Sequence, residues 1–201
     1  MNNKKYFNPL IGTEEDAINI VVPVIMNRIS AQSDYFKNIN KMVLINSIRV
    51  IKRVYKDNAT LLDIIELLYN KENKGMQMIK ELSNLEVKRV DKLFNEDLSR
   101  FFLNDYFTGS TGDRNSTKTY DNSSGLRNII YNILDNDEVS EFLNPPKDSV
   151  TSTDFNSFVG DEKNLLSIAY KVSPKLNSLI TELLISQYNI FLNKTKNNIW
   201  L

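Results

Sequence analysis

The stretch Ser33–Lys56, SDYFKNINKMVLINSIRVIKRVYK, decides the fold class. Leu44, Ile48, Ile51 and Tyr55 recur at the spacing of one helical face, and Arg49, Lys52, Arg53 and Lys56 fall opposite them. A period near 3.6 residues marks an amphipathic helix, and Ser33 supplies a capping hydroxyl at its start.

Working outward, most of the chain repeats this pattern. Thr13 followed by Glu14, Glu15 and Asp16 predicts a helix start, with acids in the first turn facing the positive helix end. That helix is expected to run to about Ala31, kinked at Pro23. Thr60-Leu61-Leu62-Asp63 opens a third helix reaching about Tyr69, and Gly75 precedes a helical stretch to Phe107 with a break near Asn84 or Asn95. Phe101, Phe102, Tyr106 and Phe107 sit at helical spacing and read as core. TGSTGDRNSTKTYDNSSG, Thr108–Gly125, reads as a long mobile surface loop. Helical patterning resumes at Leu126 and ends at Phe142-Leu143, before the stop Asn144-Pro145-Pro146.

Beyond Gly160 the pattern changes. Leu165–Tyr170 reads as a short strand, Pro174 suits the first turn of a helix, and Leu176, Leu179, Ile180, Leu183, Leu184, Tyr188 and Phe191 continue at helical spacing. After a polar spacer, Asn193–Asn198, the residues Ile199-Trp200-Leu201 read as the start of a second strand. The expected fold is therefore mainly α: a multi-helix domain over 1–159, followed over 160–201 by a short βαβ fragment. Two strands form no stable sheet alone, so the expectation is of a segment cut from something larger.

Composition narrows the chemistry. The 201 residues have no cysteine and no histidine, which removes disulfides, thiolate chemistry, the usual zinc sites and the commonest general base. Lack of cysteine fits a reducing cytoplasm. Formal net charge is zero, so nucleic-acid binding would need a local patch. No apolar run reaches the length of about 20 residues that a membrane helix needs.

Two basic clusters qualify as local patches. Arg49, Lys52, Arg53 and Lys56 read either as a track for phosphates or as a solvated face complementing the negative end of its own helix. Lys88, Arg89 and Lys92 are interleaved with Glu86, Asp91 and Glu96, as on an ordinary exposed helix. Arg127, just inside a helix start, stands against the helix dipole and calls for a carboxylate or backbone partner. With Tyr120 and Ser124 it is expected to clamp the long loop.

Four pieces in order carry a family resemblance: YFNPLIGTEEDAINIV from Tyr6, NATLLDIIELLYN from Asn58, KTYDNSSGLRNIIYNIL from Lys118, and FLNPPKDSVTSTDFNSFVGDEKNLLSIAYK from Phe142. The pattern resembles the all-alpha domain of TraG-like type IV coupling proteins of conjugative elements, particularly the Gram-positive branch. The resemblance implies a parent that is a membrane-anchored, RecA-like hexameric ATPase using ATP and magnesium at the cytoplasmic face of the cell membrane. It implies that this segment recognises the cargo: a relaxase or accessory protein, and the transferred single-stranded DNA. It also makes Ile199-Trp200-Leu201 the first residues of the acidic metal-site strand.

Independently of the resemblance, no Gly-x-x-x-x-Gly-Lys-Ser/Thr loop occurs, so the segment is expected to have no catalytic site and no cofactor of its own. The alternative reading is a free-standing helical adaptor or regulator. An enzyme is disfavoured by the lack of histidine, cysteine and a phosphate loop.

Overall fold

The computed structural model describes residues 6–29, 33–107, 119–146 and 174–198. They are mainly helical, with no strand among the described residues. The elements are α1 (Glu14–Met26), α2 (Asp34–Tyr55), α3 (Leu61–Tyr69), α4 (Lys74–Ser83), α5 (Arg89–Arg100), a π-helical turn (Phe101–Tyr106), α6 (Thr119–Asn122), α7 (Ser124–Leu134), α8 (Asp137–Leu143) and α9 (Pro174–Asn198).

α1 begins as its sequence dictates. Thr13 Oγ1 accepts from Asp16 N at 3.1 Å, and Asp16 Oδ2 accepts from Thr13 N at 2.9 Å. Gly12 precedes this box at φ +89°, where a Cβ would lie 2.8 Å from the same carboxylate. The helix ends at Met26, short of Ala31, and Arg28 beyond it folds its side chain back to donate to the freed Val24 carbonyl at 2.8 Å. α2 forms over the expected span, with Val43, Leu44, Ser47, Ile48, Val50 and Ile51 buried against α1, α3 and α4.

α3 and α4 cross closely at Gly75, where a Cβ would stand 2.6 Å from the Leu67 carbonyl. Asn70, Glu72 and Asn73 all take positive φ between the two helices. The break in the following stretch falls after Asn84. Asn95 does not break α5, because it is buried and its amide reaches the Leu82 carbonyl at 3.4 Å. At the end of α5 the ladder widens: Phe107 N donates to Phe102 O at 2.8 Å. This turn brings Phe102, Tyr106 and Phe107 into the core together, as their apolar character predicts, and leaves Phe101 half-buried.

The expected loop is shorter than its composition suggests. From Thr119 the chain is helical, with Ser123 Oγ donating to the Tyr120 carbonyl at 2.9 Å and the Tyr120 ring edge-on to Tyr106 at 5.4 Å. Residues 108–118 lie outside the described residues. So do the expected strands at 165–170 and 199–201, and the expected domain boundary at 159/160.

α9 starts at Pro174 as expected, yet it continues through Asn198, so the polar run is helix and not spacer. It lies along α1, placing Leu179, Ile180, Leu183 and Leu184 in the same core cluster as Ile20, Val24 and Ile25. Arg28 and Glu182 fix this seam with two hydrogen bonds, Nη1–Oε2 at 2.9 Å and Nη2–Oε1 at 3.0 Å.

Candidate functional site

The basic face of α2 is a seam, not an open track. Arg53 Nε donates to Glu14 Oε2 at 3.0 Å and Nη1 to Asn95 Oδ1 at 2.8 Å, and its guanidinium lies 4.5 Å from the Phe94 ring centroid. Arg49 Nε is 3.5 Å from the other Glu14 oxygen, without hydrogen-bond geometry. One acid of α1 and one ring of α5 thus serve both arginines.

Lys52 is buried, and its Nζ donates to the Lys56 carbonyl at 3.0 Å with Asp57 at 3.6 Å. Burial pushes its pKa down, and Asp57 opposes that shift. Lys52 therefore closes the negative end of its own helix, but as a buried group and not as part of a solvated face. Lys56 alone of the four is exposed.

The second cluster surrounds Arg127, which is 6% exposed. Its Nη1 donates to the Tyr120 carbonyl, to Ser123 Oγ at 3.0 Å and to Tyr106 Oη at 3.3 Å. The guanidinium stands 3.6 Å from the Tyr120 ring centroid. The expected backbone partner is present, but the serine is Ser123. Ser124 is exposed on the first turn of α7, pointing away from the cluster that its neighbour fills. Tyr106 passes the contact on, donating its hydroxyl to the Leu68 carbonyl at 3.1 Å. Burial pushes that phenol up to about 12, so it stays a donor at any ordinary pH. Residues on both sides of 108–118 are thereby held to α3 and to each other.

The described parts of the pieces quoted for the resemblance, which for the fourth are Phe142–Pro146 alone, converge in space. Asn8 Nδ2 donates to the Ala59 carbonyl at 2.9 Å, and Asn144 Oδ1 accepts from Leu62 N at 2.8 Å. Phe7 N donates to the Phe142 carbonyl at 2.8 Å, with the two rings 5.9 Å apart. Two Asn-Pro pairs far apart in sequence therefore grip the entry to α3 from both sides, while α7 packs along α3. The described parts of these motifs therefore meet around the entry to α3.

On the outside of α3, Leu62, Ile65, Tyr69 and Tyr131 line a groove of about 510 Å³, with the Lys74–Glu66 ion pair at its rim. Tyr131 is 51% exposed and its ring lies 6.3 Å from that of Tyr69. Periodicity missed this groove, although seven of the nine residues of LLDIIELLY are apolar, more than one buried face needs. Glu14 and Phe94 were also missed as partners of the basic face; no local pattern announces a contact across 39 residues.

The sequence has no phosphate-loop pattern, and among the described residues no group of three or more acidic side chains is placed to hold a metal. Among the described residues no helix is long and apolar enough to cross a membrane. No protein-family model, curated protein or solved structure matches the chain.

Proposed function

We propose that this chain is a protein-docking helical domain, the cargo-recognition part of a TraG-like coupling ATPase, acting on a relaxase or relaxosome accessory protein. The supporting observation is the convergence of the described parts of the resembling pieces: Asn8, Ala59, Leu62 and Asn144 meet at the entry to α3, and Tyr120 and Arg127 form a clamp beside it. A motif set that meets in one place fits a shared fold better than chance matches along a chain. In this reading ATP and magnesium belong to the RecA-like parent, a membrane-anchored hexamer at the cytoplasmic face, and not to this segment.

Protein docking takes precedence over DNA contact, because Arg49, Lys52 and Arg53 direct their charge to Glu14, Asn95 and the Lys56 carbonyl. Single-stranded DNA is the secondary partner, with exposed Lys56 and the rims of Arg49 and Arg53 as its contacts.

The test is binding of the purified chain to the relaxase encoded on the same genetic element, measured by calorimetry. Tyr131→Ser and Leu62→Ser, both at exposed groove positions, are the first variants to compare. Saturable binding by the parent chain supports the reading, and weakening by either variant places the contact at the groove. A folded chain that binds neither relaxase nor accessory protein overturns it.

One observation favours a second reading, a free-standing helical adaptor. α9 shares its core with α1, so the C-terminal helix belongs to the helical body. Expression of residues 1–201 as a stable monodisperse protein, active in complementing a deletion of the gene, would favour the adaptor.

A further inference from the structure

The most exposed apolar face among the described residues belongs to α5. Val90 is 78% and Leu93 57% exposed, and Val87 beside the helix start is 42% exposed. The polar side of α5 is used up in the seam, with Asn95 and Asp91 facing Arg53, so Val90 and Leu93 are turned outward by the same packing.

The charges around this face are ordered along the helix. Lys88, Arg89 and Lys92 crowd its N-terminal end, and Glu96 and Asp97 lie midway, because the helix runs on through the π-helical turn to Tyr106. Cations at the positive end of a helix are unfavourable, and Asp91 in the same turn is turned towards Arg53. Lys88 at the N-cap makes no side-chain capping bond, and among the described residues Arg89, Lys92 and Glu96 have no ion-pair partner.

We propose that α5 docks on α5 of a second copy of this chain, antiparallel, about a two-fold axis at Leu93. The geometry selects this occupant because the face is complementary to itself when reversed. Arg89 lies about one turn before Leu93 and Glu96 about one turn after it, on the same flank of the helix. A two-fold axis perpendicular to the helix sends each flank onto its own kind and reverses the order along it. Arg89 of one copy then meets Glu96 of the other, and the pairing occurs twice, as an isologous contact requires.

Leu93 meets itself on the axis. Val90 packs on the other flank beside the second copy's Asp97, which Arg100 of its own helix already pairs at 3.3 Å. The cations crowded at the helix start thus gain an acid, Glu96, from the second copy. One helix on one helix buries less than a stable interface needs, so the dimer is weak and concentration-dependent. The inference does not depend on cargo docking, since it is measured with the chain alone.

Sedimentation equilibrium of the full chain between about 10 µM and about 1 mM tests it. The expected result is a monomer–dimer equilibrium that weakens at least tenfold in Arg89→Glu and in Glu96→Arg, each carrying two like-charge contacts. Mixing the two single variants should restore dimerisation, because every contact between unlike copies is again of opposite charge. Both sites are exposed, and unchanged thermal melts confirm that the variants fold. A chain that stays monomeric throughout, a dimer indifferent to the substitutions, or mixed variants that fail to associate would each overturn the proposal.

Discussion

Arg127 and Arg53 are two answers to one problem, that of keeping a guanidinium out of bulk water. Both rest on an aromatic ring, Tyr120 at 3.6 Å and Phe94 at 4.5 Å. Arg53 keeps 22% of its side chain exposed and faces the carboxylates of Glu14 and Asp91. Arg127 is buried, and among the described residues no carboxylate stands within ion-pair reach; its partners are a carbonyl, a hydroxyl and a phenol. The difference teaches that the clamp works by geometry and the seam by charge. A planar fork satisfied by neutral acceptors fixes the positions of α3, α6 and α7 without adding an acid to the core.

The largest expected effect breaks the clamp. Arg127→Met keeps volume and relieves a desolvated charge, but it removes the donor to Tyr120, Ser123 and Tyr106. Hydrogen bonds from a charged group contribute more than neutral ones, and the acceptors left behind are buried, so a net loss of about 3 kcal/mol is expected in urea unfolding. A variant as stable as the parent would mean that relief of burial cancels the lost bonds.

Ser123→Ala should cost about 1 kcal/mol, since its hydroxyl both donates to Tyr120 and accepts from Arg127, whereas exposed Ser124→Ala should stay within about 0.5 kcal/mol of the parent. Equal effects at the two serines would remove the distinction drawn between them. On the seam, a double-mutant cycle of Glu14→Gln with Arg53→Gln should give a coupling of about 0.5–1 kcal/mol, falling with added salt. Salt-independent coupling would make the seam a geometric device like the clamp.

What was legible in the sequence follows from the range of each interaction. Local rules located the helix starts at Thr13, Thr60 and Pro174, because caps and proline act within a few residues. The need of Arg127 for a partner was legible, since the dipole argument is also local, but not whether a carboxylate or a backbone group would supply it. The choice between Ser123 and Ser124 was not, because one residue along a helix is a rotation of about 100° and only the packing against Tyr106 sets the phase. The seam was illegible for a different reason. Arg49 and Arg53 look solvated on their own helix, and the acid and ring that claim them come from α1 and α5. The polar run after Phe191 reads as spacer because its composition is that of a loop, although Asn193–Asn198 extends α9.

The smallest effect separates charge from geometry through pH. Arg28 donates to both Glu182 oxygens, and this bond, ahead of any other cause, holds the Glu182 pKa below its ordinary value of 4.5. A carboxylate whose folded pKa is depressed binds fewer protons in the folded chain than in the unfolded one. Its contribution is therefore complete above the unfolded value and is lost as pH falls through the lower folded value. Glu182 is 41% exposed, so solvent screening keeps that contribution under about 1 kcal/mol. The parent chain should be slightly more stable than Glu182→Gln at pH 7, with the gap closing as pH drops below about 4.5. The gap between the parent and Arg127→Met should not change over the same range, since no acid titrates in the clamp. If acid narrowed the Arg127 gap as well, a carboxylate would have to lie near that guanidinium, and the contrast between the two arginines would fail.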